Sequence, residues 1–196
     1  AVSYLWPDWK YLQLDKVSSQ AVQSNAKYLL YIISQLQFGK GDDLKYRIIR
    51  RKTHENATAL STTISNMNSE PKKYAAYLQQ GFELLKLNDS LLSYLSALAT
   101  YRHRMKNLKQ SIDFMANFYP NAKKIIYLLE KIEQLNAEEF GRLHLNIELS
   151  LKQYNNEYTE SSPSELSVPI QQLAMINQIL PPLYDVLHKQ NVIPQS

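Results

Sequence analysis

Four glycines, Gly39, Gly41, Gly81 and Gly141, are all that punctuate this chain of 196 residues. Glycine turns the backbone into positive φ without steric cost, so tight turns must be few. A chain of this length with few turns runs in long elements. Elements rich in Leu, Gln, Lys and Asn are helices rather than strands. The apolar spacing agrees, because no period-two alternation persists beyond a few residues, whereas steps of three and four recur. The length suits one domain over residues 1–196 and is enough to bury a core.

The first helix is expected from about Pro7 to Phe38, with Leu14, Val17, Ala21, Asn25, Tyr28, Ile32 and Leu36 as its inward stripe and Gly39 and Gly41 closing it. The second runs from Asp42 or Asp43 to about Asn68. Its stripe is Tyr46, Ile49, Thr53, Asn56, Leu60, Ile64 and Met67, so Thr53 and Asn56 each need a buried partner. The third runs from about Pro71 to Met105, with Ser69 as its N-cap. It is apolar nearly all round from Leu84 to Leu98, which predicts the most buried helix, with a kink at Asn88-Asp89.

Shorter helices follow. One spans about Leu108 to Tyr119 and breaks at Pro120, and another spans Asn121 to Leu135. Asn136 with Glu139 is a capping-box start for Ala137 to Tyr158. The stretch "NNEYTESSPS" reads as a loop. Ser162-Pro163-Ser164-Glu165 opens the last segment, which Pro181-Pro182 should kink or split. The expected fold is an all-α antiparallel helical bundle: three long helices over residues 7–105, completed by shorter helices over 106–196.

Several chemistries lack their residues. The chain has no cysteine, which removes disulfides, thiol catalysis and Cys-ligated metals. His54, His103, His144 and His188 are isolated, without HxxxH, HExxH or ExxH spacing, so no metal or other cofactor is expected. No G-x-S-x-G elbow and no phosphate-cradling glycine loop occurs, so no catalytic residue and no enzymatic activity are assigned. No run of 18 apolar residues is present to span a membrane, and no signal peptide is visible. The chain begins Ala1-Val2 without an initiator Met, which reads as a piece of something larger or as processing.

One cluster stands out. Lys40, Lys45, Arg47, Arg50, Arg51 and Lys52 fall within thirteen residues, in a chain whose net charge is only +4. Arg47, Arg50, Arg51 and His54 share a helical face, and arginine forks suit phosphate or carboxylate oxygens. Lipid headgroups, nucleic acid and a small anion are the binding readings. A solvated face, or ion pairs to Glu83, Asp89, Glu130 or Glu133, is the structural one. Nucleic acid is disfavoured, because no aromatics interleave with the run. At the N-terminus, Tyr4, Trp6, Trp9 and Tyr11 suit either a membrane interface or ordinary hydrophobic anchoring. Asn25, Asn56 and Asn88 read as buried polar contacts that fix helix register.

Three segments, "WPDWKYLQLDK", "YRIIRRKTHENATALSTTISNMNSEP" and "LNDSLLSYLSAL", together carry a family resemblance. The most specific residues are Tyr46, Arg47, Arg50, Arg51, His54, Ala59, Leu60, Ser61, Asn66, Met67, Glu70 and Pro71. The chain resembles, over roughly residues 6 to 102, the YccS/YhfK branch of the fusaric acid resistance-like, aromatic acid exporter-like inner-membrane proteins. The resemblance implies a C-terminal cytoplasmic domain of an efflux-type transporter-like protein, serving assembly, gating or regulation at the cytoplasmic face of the bacterial inner membrane. Its implied partner is its own transmembrane domain, with an anionic lipid surface or self-association as further possibilities. Trp6 and Trp9 would then be membrane-proximal, while Arg47, Arg50, Arg51 and His54 would form a ligand-binding face or an ionic lock. The alternative is a free-standing helical module that holds an anionic partner on that face.

Overall fold

The structure, a computed structural model, describes residues 6–39, 42–158 and 164–189. Six helices form: α1 (Trp6–Phe38), α2 (Asp43–Asn68), α3 (Pro71–Met105), α4 (Ile112–Glu130), α5 (Ala137–Tyr158) and α6 (Ser164–Lys189). No strand occurs among the described residues. α1, α3, α6 and α4 form a square in which each packs against the next. α2 lies outside the α1–α3 edge and α5 outside the α4–α6 edge, and these two flanks do not touch the opposite halves. One cluster of buried apolar residues runs through all six helices. The fold is therefore the expected all-α bundle. Its last helix, at 26 residues, equals α2 in length rather than being shorter.

The α1 stripe is buried throughout, from Leu14 to Leu36. α1 ends where Gly39 takes φ +65°, a left-handed conformation that costs a non-glycine residue about 1–2 kcal/mol. Gly41 and the residues around 159–163 lie outside the described residues, as do the side chains of Trp6 and Trp9. The backbone of both tryptophans is in the first turns of α1. α2 is capped by Asp42, whose Oδ1 accepts from the amides of Leu44 (2.9 Å) and Lys45 (3.2 Å). Tyr31 pins that turn to α1, because its hydroxyl donates to the Asp42 carbonyl and accepts from the Asp42 amide.

The polar residues of the α2 stripe find partners on α1. Thr53 Oγ1 donates to the carbonyls of Ile49 (2.8 Å) and Ser24 (3.4 Å); Asn56, expected to be buried, is only half-buried, and its Nδ2 donates to the Gln20 carbonyl at 3.4 Å at the edge of the interface. Asn25 and Asn88 join α1 to α3 in the core, Nδ2 to Oδ1, at 2.7 Å.

Several boundaries differ from expectation. Ser69 does not cap α3. Its hydroxyl donates back to the Asn66 carbonyl and closes α2 instead. The irregular residue in α3 is Tyr74 (φ −112°), one turn after Pro71, and the helix runs unbroken past Asn88-Asp89. α1 is more deeply enclosed than α3. It adds a second buried row of Val22, Ala26, Leu29 and Ile33, whereas α3 leaves Lys86, Asp89, Ser93 and Ala97 exposed.

α4 is one helix rather than two. Pro120 leaves the Ala116 carbonyl without its helical donor, but both residues face solvent, so water can satisfy it. The α4 cap is Ser111, bonded to the Phe114 amide. Asn136 caps α5 as expected, accepting from the Glu139 amide at 2.9 Å. Asn155 to Tyr158 belong to α5 rather than to a loop. α6 continues through Pro181-Pro182 without a split, held by Leu180, Leu183 and Tyr184, which stay buried on either side.

Candidate functional site

The basic turn forms the first half of α2, on the outer flank of the bundle. Arg47, Arg50, Arg51 and His54 are brought together on one exposed helical face, with Glu55 and Thr58 continuing it. Arg51, whose side chain is 83% exposed, pairs with Glu55 one turn on at 3.1 Å. Arg47 Nε donates to the Asp43 carbonyl. None of Glu83, Asp89, Glu130 and Glu133 pairs with these arginines among the described residues. Glu133 instead accepts from Ser19. Leu44 and Ile48, both more than half exposed, sit on the same surface between the cations. The face carries a shallow, open depression of about 680 Å³ lined by these residues. It can offer guanidinium forks and two apolar side chains to a surface, or the forks alone to an anion seated in the open depression.

Behind this face lies a cluster that is invisible in any one segment. The Tyr28 and Tyr46 hydroxyls are 3.0 Å apart, and Tyr31 stacks on Tyr46 at 6.3 Å between centroids. Arg102, at the end of α3, places its guanidinium carbon 3.5 Å from the centre of the Tyr46 ring. Lys45 Nζ lies 5.6 Å from the Tyr31 ring. Burial, then the hydrogen bond to Tyr46, pushes the Tyr28 hydroxyl well above its ordinary pKa, while Arg50 pulls it partly back. Tyr28 is thus a neutral hydrogen-bonding group that locks α1, α2 and α3 together, and is not an acid–base group. Tyr46 was legible as a stripe residue. Arg102 was read only as a charge at a helix end, and the 56 residues separating them in sequence carry no signal of the pair.

Two of the histidines are structurally occupied. His144 Nδ1 lies 3.1 Å from Asn177 Oδ1, and Asn177 Nδ2 donates back to the His144 carbonyl. That arrangement makes Nδ1 the protonated nitrogen. His188 Nε2 bonds to the Ile132 carbonyl at 2.8 Å and its ring stacks on Tyr184. His54 and His103 are exposed. Among the described residues no three His, Asp or Glu side chains converge as a metal site would require, and no helix is long and apolar enough to cross a membrane.

Fold and site together define an all-helical domain with one basic flank, and comparison with other proteins supplies its context. The chain is 31% identical over all 196 of its residues to inner membrane protein YccS of Escherichia coli, of which it spans 26%. It is 61% identical over 191 residues to an uncharacterized protein of Haemophilus influenzae, spanning 27% of that protein. It is 43% identical over 123 residues to an uncharacterized protein, ORF2, of Neisseria gonorrhoeae, spanning 30% of it. The chain thus covers between a quarter and a third of the length of these relatives. No family model and no solved structure matches it. Similarity along the whole of this chain to about a quarter of YccS supports a relationship to YccS-related inner-membrane proteins.

Proposed function

We propose that this chain is the cytoplasmic domain of an inner-membrane, efflux-type transporter-like protein, where it serves assembly, gating or regulation without catalysing a reaction. The observation that carries the reading is a mismatch. The chain is similar along its whole length to about a quarter of a protein described as residing in the inner membrane, yet no described helix could cross one. In this reading the membrane-crossing part lies elsewhere in the longer protein. The branch within the family, the C-terminal position and the efflux role rest on the sequence resemblance.

The exposed α2 face is the surface proposed to meet the rest of the protein or the lipid. Leu44 and Ile48 interleaved with Arg47 and Arg51 give it the composition of an interfacial helix. The test is fractionation. Antibodies raised against this chain should find the full-length gene product in the inner-membrane fraction, retained through high-salt and carbonate washes. Recovery in the soluble fraction would sink the reading.

That same face favours the second reading, a free-standing module for an anionic partner. Binding of the isolated chain to phosphatidylglycerol vesicles, weakening steeply with salt, would support it. Equal binding to phosphatidylcholine vesicles, or no binding at low salt, would remove it.

A further inference from the structure

α5 packs on α4 and α6 alone, and its outer side meets no other helix of the described chain. Its inward residues Phe140, Ile147, Leu151 and Tyr154 are buried and complete its share of the bundle core. The outer side carries a second pattern. Glu138, Arg142, Leu145, Leu149, Lys152 and Asn156 recur in alternate steps of four and three, and every one of them is exposed. That spacing presents a seam to another helix. The centre of the seam is apolar, with Leu145 51% and Leu149 57% exposed, and its ends are charged.

Gly141 lies beside the seam, one turn before Leu145. A Cβ there would meet no atom within 4 Å, so no neighbour in this chain requires a glycine. Glycine inside a helix is unfavourable relative to alanine. A neighbour approaching closely on the outer side gives the position a reason that the bundle itself does not.

The charges select that neighbour. We propose that it is α5 of a second copy of this chain, running antiparallel and crossing at Leu145. The two-fold axis then passes between the two Leu145 side chains. Glu138 and Lys152 stand seven residues before and after Leu145, so Glu138 of each copy faces Lys152 of the other. Leu149 of each copy lies over Gly141 of the other, against the aliphatic stem of Arg142. The competing alignments bring like charges together. Antiparallel helices crossing midway between Leu145 and Leu149 set Arg142 against Lys152, and parallel helices set each charge against its own copy. Glu138 and Arg142 form no ion pair among the described residues. Lys152 pairs with Glu148 one turn before it at 2.9 Å, an exposed contact of the weak kind that leaves the ammonium available to a second carboxylate. One pair of helices buries less surface than a standard interface, so the dimer is weak. α5 and α2 flank opposite edges of the bundle, and the dimer does not depend on where the chain resides.

Sedimentation equilibrium of the 196-residue chain, from about 1 μM to about 1 mM, tests the proposal. A monomer–dimer equilibrium is expected, with a Kd between about 10 and 100 μM. Leu145→Glu sets two carboxylates together at the axis and should weaken the dimer at least about tenfold. The side chain is exposed, so the far-UV circular dichroism and the melting temperature should not move. Glu138→Lys sets two ammonium groups against each other at both ends and should weaken the dimer about fivefold. Adding Lys152→Glu to that variant should restore the parent affinity to within about twofold, a recovery that a purely apolar contact would not show. A chain that stays monomeric throughout overturns the proposal, as does a dimer that Leu145→Glu leaves intact. Failure of the double variant to recover overturns the antiparallel register. Fractionation tests residence and sedimentation tests the dimer, so either reading can fail without the other.

Discussion

Replacing Asn88 with Leu should expose how the α1–α3 contact is specified. Asn25 and Asn88 are each 1% exposed and share one hydrogen bond of 2.7 Å. Asn88→Leu keeps an approximate fit but removes the acceptor of Asn25 Nδ2, and the Oδ1 of Asn25 has no donor among the described residues. Leaving a buried amide unsatisfied costs about 1–3 kcal/mol, so a loss of about 2 kcal/mol is expected. In a chain of this size that lowers the melting temperature by about 4–8 °C. Asn25→Leu should cost a similar amount for the reciprocal reason. The double variant leaves no orphan and should return to within about 1 kcal/mol of the parent, a coupling of about 3 kcal/mol. Urea unfolding followed by far-UV circular dichroism, with an unchanged m value, reads all four proteins. Two single variants each costing under about 0.5 kcal/mol, with a strictly additive double, would refute the argument.

Three other substitutions probe separate features. Gly39→Ala should destabilise by about 1–2 kcal/mol in a thermal melt, entirely through the backbone, because a Cβ there meets no atom within 4 Å. Pro120→Ala should stabilise by about 1 kcal/mol in the same assay, since it restores a helical hydrogen bond to Ala116 and loses only part of that gain to a freer unfolded chain. Asp15 is exposed as a whole, yet partial desolvation of its carboxylate, and secondarily the Glu133 carboxylate, raises its pKa in the folded chain. The folded chain therefore holds that proton more tightly than the unfolded chain does. The resulting penalty is absent below the ordinary aspartate range and complete above the raised value. Asp15→Asn should accordingly raise stability at neutral pH, with the gain vanishing as pH falls through that window, as urea titrations across pH would show.

The helices that could be read from the sequence are those whose burial is one-sided. In α2 the core takes one stripe and in α1 two adjacent rows on one side, so the period of three and four survives in the residue types; the polar interruptions Asn25 and Thr53 are buried on it, whereas Asn56 lies at its half-exposed margin. Prolines misled where the missing hydrogen bond costs little. Pro120 and Ala116 both face water, and tertiary packing carries α6 through Pro181-Pro182. Ser69 was ambiguous because the same hydroxyl can cap a following helix or close a preceding one, and only the local geometry decides. The basic face of α2 was legible, since its residues are neighbours along one helix. Arg102 on Tyr46 depends on how α2 and α3 meet, which local sequence does not encode.

The chain contains no cysteine, which allows a direct test of where it resides. Ser61 is exposed on α2, and Ser61→Cys in the full-length gene product provides a site for a membrane-impermeant maleimide, with the unsubstituted protein as control. A cytoplasmic domain of an inner-membrane protein predicts labelling in inverted inner-membrane vesicles and protection in spheroplasts. Labelling in spheroplasts, with protection in inverted vesicles, would contradict the account.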